Sequence, residues 1–226
     1  MSHMIELASA DGTAIPAYEA VPMGAAKGAV VVLQEIFGLN SHIRNVADGY
    51  AAAGYYALAP ATFQRVKPGI ELGYTPDEIQ AGLALKTRAE AMRAQVLQDV
   101  QAAIDHATGK GYKVGVVGYC WGGLLTWRAA TRLTGVAAAV PYYGGGMHNE
   151  SVDAPRCPTM AHLSDNDQSV PMDGVAALQQ AQPALQVHLY SAMHGFNCDQ
   201  RGAYQAAAAT LARERTLAFF AQHLSQ

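Results

Sequence analysis

The chain has little charge and no long apolar run, and both shortages exclude classes of protein. Only 15% of its 226 residues are charged, whereas 50% are hydrophobic; the usual charged fraction is about 25%. This balance predicts a folded chain with a large core rather than a disordered one. The apolar runs are far shorter than the roughly 20 residues that cross a bilayer, so we expect no membrane partner.

Basic residues are scarce as well. Lys and Arg number 15 against 18 Asp and Glu, which gives a net charge of −3. Proteins that bind nucleic acid without sequence preference need a positive surface that releases phosphate counterions. The sequence therefore predicts no nucleic-acid partner.

Cysteine is the third residue type in short supply. Cys120, Cys157 and Cys198 are too few for a disulfide framework, and no two stand at C-x-x-C spacing. The first residues lack the basic start and apolar stretch of a signal peptide. Together these features predict a cytoplasmic protein, with a monomer or a weak homodimer as the expected assembly.

Short β-rich runs alternate with longer helical patterns along the whole chain. The predicted strands cover 29–33, 55–59, 113–118, 136–143, 158–163 and 185–190, and the predicted helices cover 41–53, 75–109, a stretch from about 122, and 203–224. Such alternation is typical of βαβ units, and it predicts an α/β fold whose mostly parallel central sheet has helices on both faces. Ligands of such sheets bind beyond the carboxyl ends of the strands.

One segment joins a predicted strand directly to a predicted helix. Residues 118–123 read Gly-Tyr-Cys-Trp-Gly-Gly, a G-x-C-x-G version of the nucleophile elbow. Glycines flank Cys120 because side chains there would collide with neighbouring backbone. A thiol at a helix N-terminus is favoured as the thiolate. Cys120 is therefore the candidate nucleophile, and the alternative is a buried, inert cysteine between packing glycines.

An elbow nucleophile is followed along the chain by an acid and then a histidine. Asp165 and Asp167 follow the strand predicted at 158–163, and His194 follows the strand predicted at 185–190. Either aspartate could orient His194, and Asp165 could instead cap the turn.

A carboxylate also follows the first buried strand. Residues 34–40 read Gln-Glu-Ile-Phe-Gly-Leu-Asn, and burying Glu35 is costly unless another group pairs with it. Its alternative role is a helix cap or an ordinary loop carboxylate. This loop is where the fold supplies one oxyanion donor, and the residue after the nucleophile supplies the other. The donors are then expected to be the N–H groups of Ile36 and Trp121.

Cofactor motifs are missing from the sequence. Residues 165–167 faintly resemble a calcium loop, but no Gly and Glu stand at EF-hand spacing. Residues 115–118 lack the spacing of a dinucleotide fingerprint, and there is neither a phosphate loop nor an H-E-x-x-H pair. We therefore expect no cofactor and no catalytic metal.

Four ordered motifs together resemble the dienelactone hydrolase (carboxymethylenebutenolidase) family of α/β-hydrolases. They are the segments at 34–40 and 118–123, Asp167 with the Val-Pro pair at 170–171, and His-Gly-Phe at 194–196. The resemblance implies that residues 1–226 form a single α/β-hydrolase domain. It also implies a Cys120–Asp167–His194 triad and a thioester intermediate, with a small lactone or ester as substrate.

The resemblance further implies that Glu35 lies beside Cys120 and keeps the sulfur poorly reactive until substrate binds. Two arginines that hold a substrate carboxylate in the family correspond here to residues near Ala81 and to Cys198, and neither is basic. Lys86, Arg88 or Arg201 could replace them or be ordinary surface charges. The rings expected to line an apolar pocket belong to Phe37, Trp121, Tyr142, Tyr143 and Phe196, although core packing is as good an account of the two tyrosines.

Two other functions fit the same residues. One is a general esterase or thioesterase on this scaffold. The other is a non-catalytic ligand-binding or redox-sensing module that uses Cys120 as a reactive thiol.

Overall fold

The computed structural model of the chain describes residues 1–225. Within this range eight strands form one sheet in the order β1-β2-β4-β3-β5-β6-β7-β8. The strands are β1 (Ser2–Ala8), β2 (Ala14–Ala20), β3 (Ala29–Leu33), β4 (Tyr56–Pro60), β5 (Val114–Tyr119), β6 (Val136–Tyr142), β7 (Met160–Asn166) and β8 (Gln186–Met193). The first two pairings are antiparallel, and the strands from β4 to β8 are parallel to their neighbours. The prediction of a mostly parallel sheet is confirmed.

Six α-helices connect or flank these strands in the described part of the chain. They are α1 (Ser41–Ala52), α2 (Pro76–Ala91), α3 (Arg93–Gly109), α4 (Trp121–Arg132), α5 (Met172–Ala181) and α6 (Ala206–Leu224). Local signals explain where several of them begin. The Asn40 side chain accepts from the Ile43 N–H at the start of α1, and Thr75 forms a capping box with Glu78 at the start of α2.

The helices cover both faces of the sheet. Val31 and Leu33 belong to the core cluster under α2, α3, α4 and α5, whereas Val30 and Val32 belong to the cluster under α1 and α6. Successive strand residues point to opposite faces of the sheet. Because both faces of β3 are buried, all of its residues are apolar.

Some features of the fold were not predicted, and one of them is the helix α5. The antiparallel pair β1 and β2 has mostly exposed or half-buried β1 residues, so it lacks the apolar runs that mark the other strands in the sequence. The helix predicted over 75–109 is two helices, because the backbone leaves helical geometry at Met92. No helix within residues 1–225 combines the length and the apolar character needed to cross a membrane.

Candidate active site

The candidate residues gather at one edge of the sheet. Glu35 follows β3, Cys120 follows β5, Asp167 follows β7 and His194 follows β8. These strands are parallel, so their carboxyl ends meet at the same edge. Residues far apart in sequence are thereby brought into one site.

The turn around Cys120 is an elbow in the structure. Cys120 has φ 55°, a value that is uncommon and strained for a residue other than glycine. A Cβ on Gly118 would lie 2.1 Å from the Gly122 carbonyl oxygen, and a Cβ on Gly122 would lie 2.3 Å from that of Leu33. Both positions therefore require glycine, and the partly exposed Cys120 thiol lies directly before α4.

Asp167 and His194 form a hydrogen-bonded pair beside Cys120. His194 Nδ1 lies 2.7 Å from Asp167 Oδ2, and the His194 ring is close enough to Cys120 for the charge of the sulfur to act on the imidazole. Asp167 accepts a second hydrogen bond, from the Ser169 N–H at 2.8 Å. Asp165 is exposed, so of the two aspartates it is Asp167 that contacts the histidine.

Charges and hydrogen bonds in this part of the site shift the pKa values of His194 and Asp167. Burial favours the neutral form of His194, but the charge of Cys120 and the hydrogen bond with Asp167 raise the pKa of the imidazole to about 10. Burial opposes ionisation of Asp167 too, yet its hydrogen bond with His194 holds the pKa of this carboxyl below its usual value. The geometry therefore favours a proton on the His194 ring at neutral pH.

Glu35 is 1% exposed and forms an ion pair inside the site. Arg201 Nη1 donates to Glu35 Oε1 at 3.1 Å, and the guanidinium lies over the Phe37 ring. The charges of both Glu35 and Cys120 act on Arg201 and raise its pKa despite burial. Of the three cations considered from the sequence, Arg201 is the one paired with Glu35, and it lies seven positions after His194.

A cavity of about 170 Å³ opens above Cys120 and His194. Phe37, Trp121, Lys86 and Arg201 are among its lining residues, whereas Arg88 is not. The other walls come from Ile36, Ile79, Leu83, Gly145 and Ser169. Apart from Lys86, the α2 wall was not predicted, although Ile79, Leu83 and Lys86 are spaced four and three residues apart, as neighbours on one helix face are.

Tyr142, Tyr143 and Phe196 are fully buried and do not line this cavity. The Tyr142 hydroxyl is 2.6 Å from Thr216 Oγ1. The Tyr143 ring meets the His194 ring edge-on at 5.1 Å and the Phe196 ring at 5.2 Å. These rings pack beneath the site and support His194, and a direct contact with substrate stays a prediction.

The two residues expected to supply oxyanion donors line the same cavity as Cys120. Ile36 and Trp121 both line the cavity, and within residues 1–225 neither backbone N–H is found donating to another group. The Trp121 ring stacks on Phe63, and its Nε1–H donates to Glu90 Oε1 at 2.7 Å. The side chain of Trp121 is thus held by packing while its backbone remains available.

A second polar cluster lies behind Glu35 and was not predicted. Glu35, His42 and Cys198 are all buried, and one ligand atom from each lies within 4.8 Å of the others. Burial and the charge of Glu35 raise the pKa of the Cys198 thiol to about 12. The three residues have no recognised metal-binding spacing in sequence, so the sequence alone does not indicate the cluster.

The chain is similar to known proteins over almost its whole length. The model of the dienelactone hydrolase family matches residues 15–224. The carboxymethylenebutenolidase of Pseudomonas putida is 37% identical over 227 residues, which cover 96% of this chain and 95% of that protein.

Solved structures agree with the sequence comparisons. A provisionally named dienelactone hydrolase from Klebsiella pneumoniae has a TM-score of 0.86 and 30% identity, with 99% of each chain covered. A dienelactone hydrolase-like promiscuous phosphotriesterase, P91, from metagenomic libraries has a TM-score of 0.82 over 99% of each chain. Its identity is 21%, so that likeness concerns the fold alone.

Proposed function

Because the chain belongs to the dienelactone hydrolase family, a group of α/β-hydrolases, we propose that it hydrolyses small lactones or carboxylic esters with Cys120 as the nucleophile. The observation that carries this proposal is the contact of Asp167 Oδ2 with His194 Nδ1 at 2.7 Å, with the His194 ring close enough to Cys120 for the charge of the sulfur to act on it, and with both residues lining one cavity. A nucleophile within reach of a base that a third group orients is the arrangement needed for acyl transfer.

In the first half-reaction the Cys120 sulfur attacks the carbonyl carbon of the substrate. The carbonyl oxygen becomes an oxyanion, and the N–H groups of Ile36 and Trp121 stabilise it. The carbon–oxygen bond of the ester then breaks, leaving a thioester on Cys120 and an alkoxide or enolate. His194, whose pKa is about 10, gives its proton to that leaving oxygen.

In the second half-reaction water attacks the thioester. His194 takes a proton from the water, the carbon–sulfur bond breaks, and the carboxylic acid product leaves. Asp167 holds the His194 ring through Nδ1 in both halves, which keeps Nε2 directed at the reacting atoms. No metal or organic cofactor enters either half.

The cavity favours a small, anionic substrate. Its volume of about 170 Å³ lies below the roughly 300–1,000 Å³ of sites that hold drug-sized ligands. Lys86 and Arg201 give it two cations, whereas Ile79 and Leu83 give it an apolar wall. These features support a lactone or ester that carries a carboxylate, although the family's own arginine positions are not basic here.

Steady-state kinetics of matched variants test the proposal. The substrates are dienelactone, its methyl ester and p-nitrophenyl acetate, and the variants are Cys120→Ala and His194→Gln. We expect kcat/KM to fall by about 10³-fold or more in both. Cys157→Ala is the matched control, since Cys157 is a free cysteine outside the cavity.

A thioester should also be visible directly. Acid quenching during turnover of dienelactone is expected to leave an adduct of the whole substrate mass on the peptide that contains Cys120. Wild-type rates in Cys120→Ala would exclude the mechanism. Hydrolysis of p-nitrophenyl acetate without any of dienelactone would instead indicate the general esterase, and no hydrolysis of either would favour the redox module.

A further inference from the structure

The cluster behind Glu35 combines three chemically different metal ligands. Glu35 offers a carboxylate oxygen, His42 an imidazole nitrogen and Cys198 a sulfur, and the three atoms lie within 4.8 Å of one another. A tetrahedral zinc site with bonds of about 2.0–2.3 Å separates its ligand atoms by roughly 3.3–3.8 Å. Closing the cluster onto an ion thus needs side-chain shifts of about 1 Å.

Two polar atoms in this cluster lack partners despite deep burial. Glu35 is 1% exposed and His42 is 3% exposed. Among residues 1–225 no group hydrogen-bonds Glu35 Oε2 or His42 Nε2. An unpaired buried polar atom normally costs about 1–3 kcal/mol. The cluster therefore contains two binding atoms that the protein itself leaves unused.

The remaining atoms of the same side chains are held as they are in metal sites. His42 Nδ1 lies 3.2 Å from Asp199 Oδ1, and Glu35 Oε1 accepts from Arg201 at 3.1 Å. A metal-bound histidine almost always donates its other ring N–H to a carboxylate or carbonyl, and a metal-bound carboxylate is itself hydrogen-bonded. Both outer contacts are present before any ion binds.

We propose that Glu35 Oε2, His42 Nε2 and Cys198 Sγ form a binding site for one zinc ion, with solvent as a fourth ligand. Mixed sulfur, nitrogen and oxygen ligands suit zinc better than magnesium or calcium, which select oxygen alone. Cys198 binds as the thiolate, so its proton leaves to solvent when the ion enters. His42 and Asp199 line a surface cavity of about 360 Å³, which supplies the entry path.

Metal binding here does not depend on the proposed hydrolysis. An effect of zinc on turnover does depend on the proposed function. Since Glu35 is the carboxylate proposed to restrain Cys120, an ion bound to Glu35 would couple zinc occupancy to turnover. The binding experiment is therefore designed without an activity measurement.

Equilibrium dialysis of the full chain against Zn²⁺ tests the site, with bound metal measured by mass spectrometry. Co²⁺ is then substituted for Zn²⁺, because a thiolate-to-cobalt charge-transfer band appears only when sulfur is a ligand. We expect one ion per chain and this band in wild type, Cys157→Ser and Cys120→Ser. Cys198→Ser and His42→Gln are expected to lose the band or weaken binding by about 10- to 100-fold, and Asp199→Asn to weaken binding by about tenfold.

The outcomes separate this site from its competitors. Loss of binding in Cys120→Ser would move the ion to the Cys120–His194 pair and overturn the proposal. Equal binding by all variants would indicate an adventitious surface ion only, and no retained zinc in wild type would exclude the site outright. Circular dichroism checks folding, and Cys198→Ala replaces Cys198→Ser if the serine variant does not fold.

Discussion

Arg201 donates to Glu35 Oε1 at 3.1 Å across 166 positions of sequence. Because Arg201 also lines the cavity above Cys120, its guanidinium can bind an anionic substrate as well as Glu35. We expect Arg201→Gln to raise KM for a carboxylate-bearing lactone by about 10- to 100-fold, the loss of one charge-assisted hydrogen bond. The KM for a neutral ester should change much less.

Arg88→Gln is the matched control for this prediction. Arg88 also carries a guanidinium, but it is exposed and donates to the Val66 carbonyl outside the cavity. KM for the carboxylate substrate should stay within about twofold of wild type in this variant. An equal rise of KM for both substrates in Arg201→Gln would contradict the role of Arg201 in carboxylate binding.

Glu35 is expected to restrain the reactivity of the Cys120 thiol in the free protein. Burial raises the pKa of the Tyr143 hydroxyl, and the charges of Glu35 and Cys120 raise it further, so these two residues act on one electrostatic environment. Removing the carboxylate charge with Glu35→Gln should speed alkylation of Cys120 by iodoacetamide about 3- to 10-fold at neutral pH.

Labelling is followed by peptide mass spectrometry in the presence of a chelator, so that bound metal does not alter the rate. Glu6→Gln provides the comparison, because it removes the same charge from an exposed residue on β1. If both variants are alkylated at the wild-type rate, Glu35 has no restraining effect.

The pKa of His194 should depend on its two partners, which act in the opposite direction to burial. Cys120 and Asp167 together raise this pKa to about 10, against the effect of burial. Cys120→Ala removes the larger of the two charge effects, so the pKa of the imidazole should fall below its wild-type value. Titration of the His194 ring by NMR checks this, and a pKa that is the same in Cys120→Ala and wild type would exclude a direct charge interaction.

The raised pKa of His194 also makes the stability of the protein depend on pH. The folded pKa of about 10 lies above the unfolded value of about 6.5, so the protonated ring stabilises the fold. That contribution is complete below about pH 6.5 and disappears as pH rises through about 10. Urea unfolding of wild type and His194→Gln should therefore differ less at pH 10 than at pH 6.

The sequence predicted the strand ends of this site better than its walls. Cys120, Asp167 and His194 each follow an apolar strand, and parallel topology alone brings such positions to one edge. The cavity wall from α2 and the buried placement of Tyr142 depend on how helices pack against the sheet. Periodicity along one segment contains no information about that packing.

The ligands behind Glu35 illustrate a second limit. His42 lies in the first turn of α1 and Cys198 lies between β8 and α6, so their meeting depends on two elements that cover one face of the sheet. A search for fixed spacings finds metal sites that are local in sequence. It does not find sites that are assembled by the fold.

Gly122 should be irreplaceable, because its missing side chain lets α4 approach β3. A Cβ there would lie 2.3 Å from the Leu33 carbonyl oxygen and 2.5 Å from that of Gln34, and backbone cannot yield as a flexible side chain does. We expect Gly122→Ala to lower the free energy of unfolding by about 3 kcal/mol or more. Gly109→Ala, with nothing within 4 Å of the new Cβ, should stay within about 0.5 kcal/mol of wild type. Urea unfolding of both variants measures the difference.

Arg128 on α4 forms ion pairs with Glu90 on α2 and with Glu150, and its removal should destabilise the protein. Its side chain is 3% exposed and contacts Glu90 at 2.8 Å and Glu150 at 2.7 Å. Arg128→Met removes the arginine paired with Glu90 and one of the two arginines paired with Glu150, so we expect a loss of about 2–4 kcal/mol in the free energy of unfolding. Since Glu90 also accepts from Trp121 Nε1, kcat should fall as well.

The double variant Arg128→Met with Glu90→Gln should recover part of the stability, because it removes one unpaired charge. Equal instability of the single and double variants would show that the ion pair is not the cause.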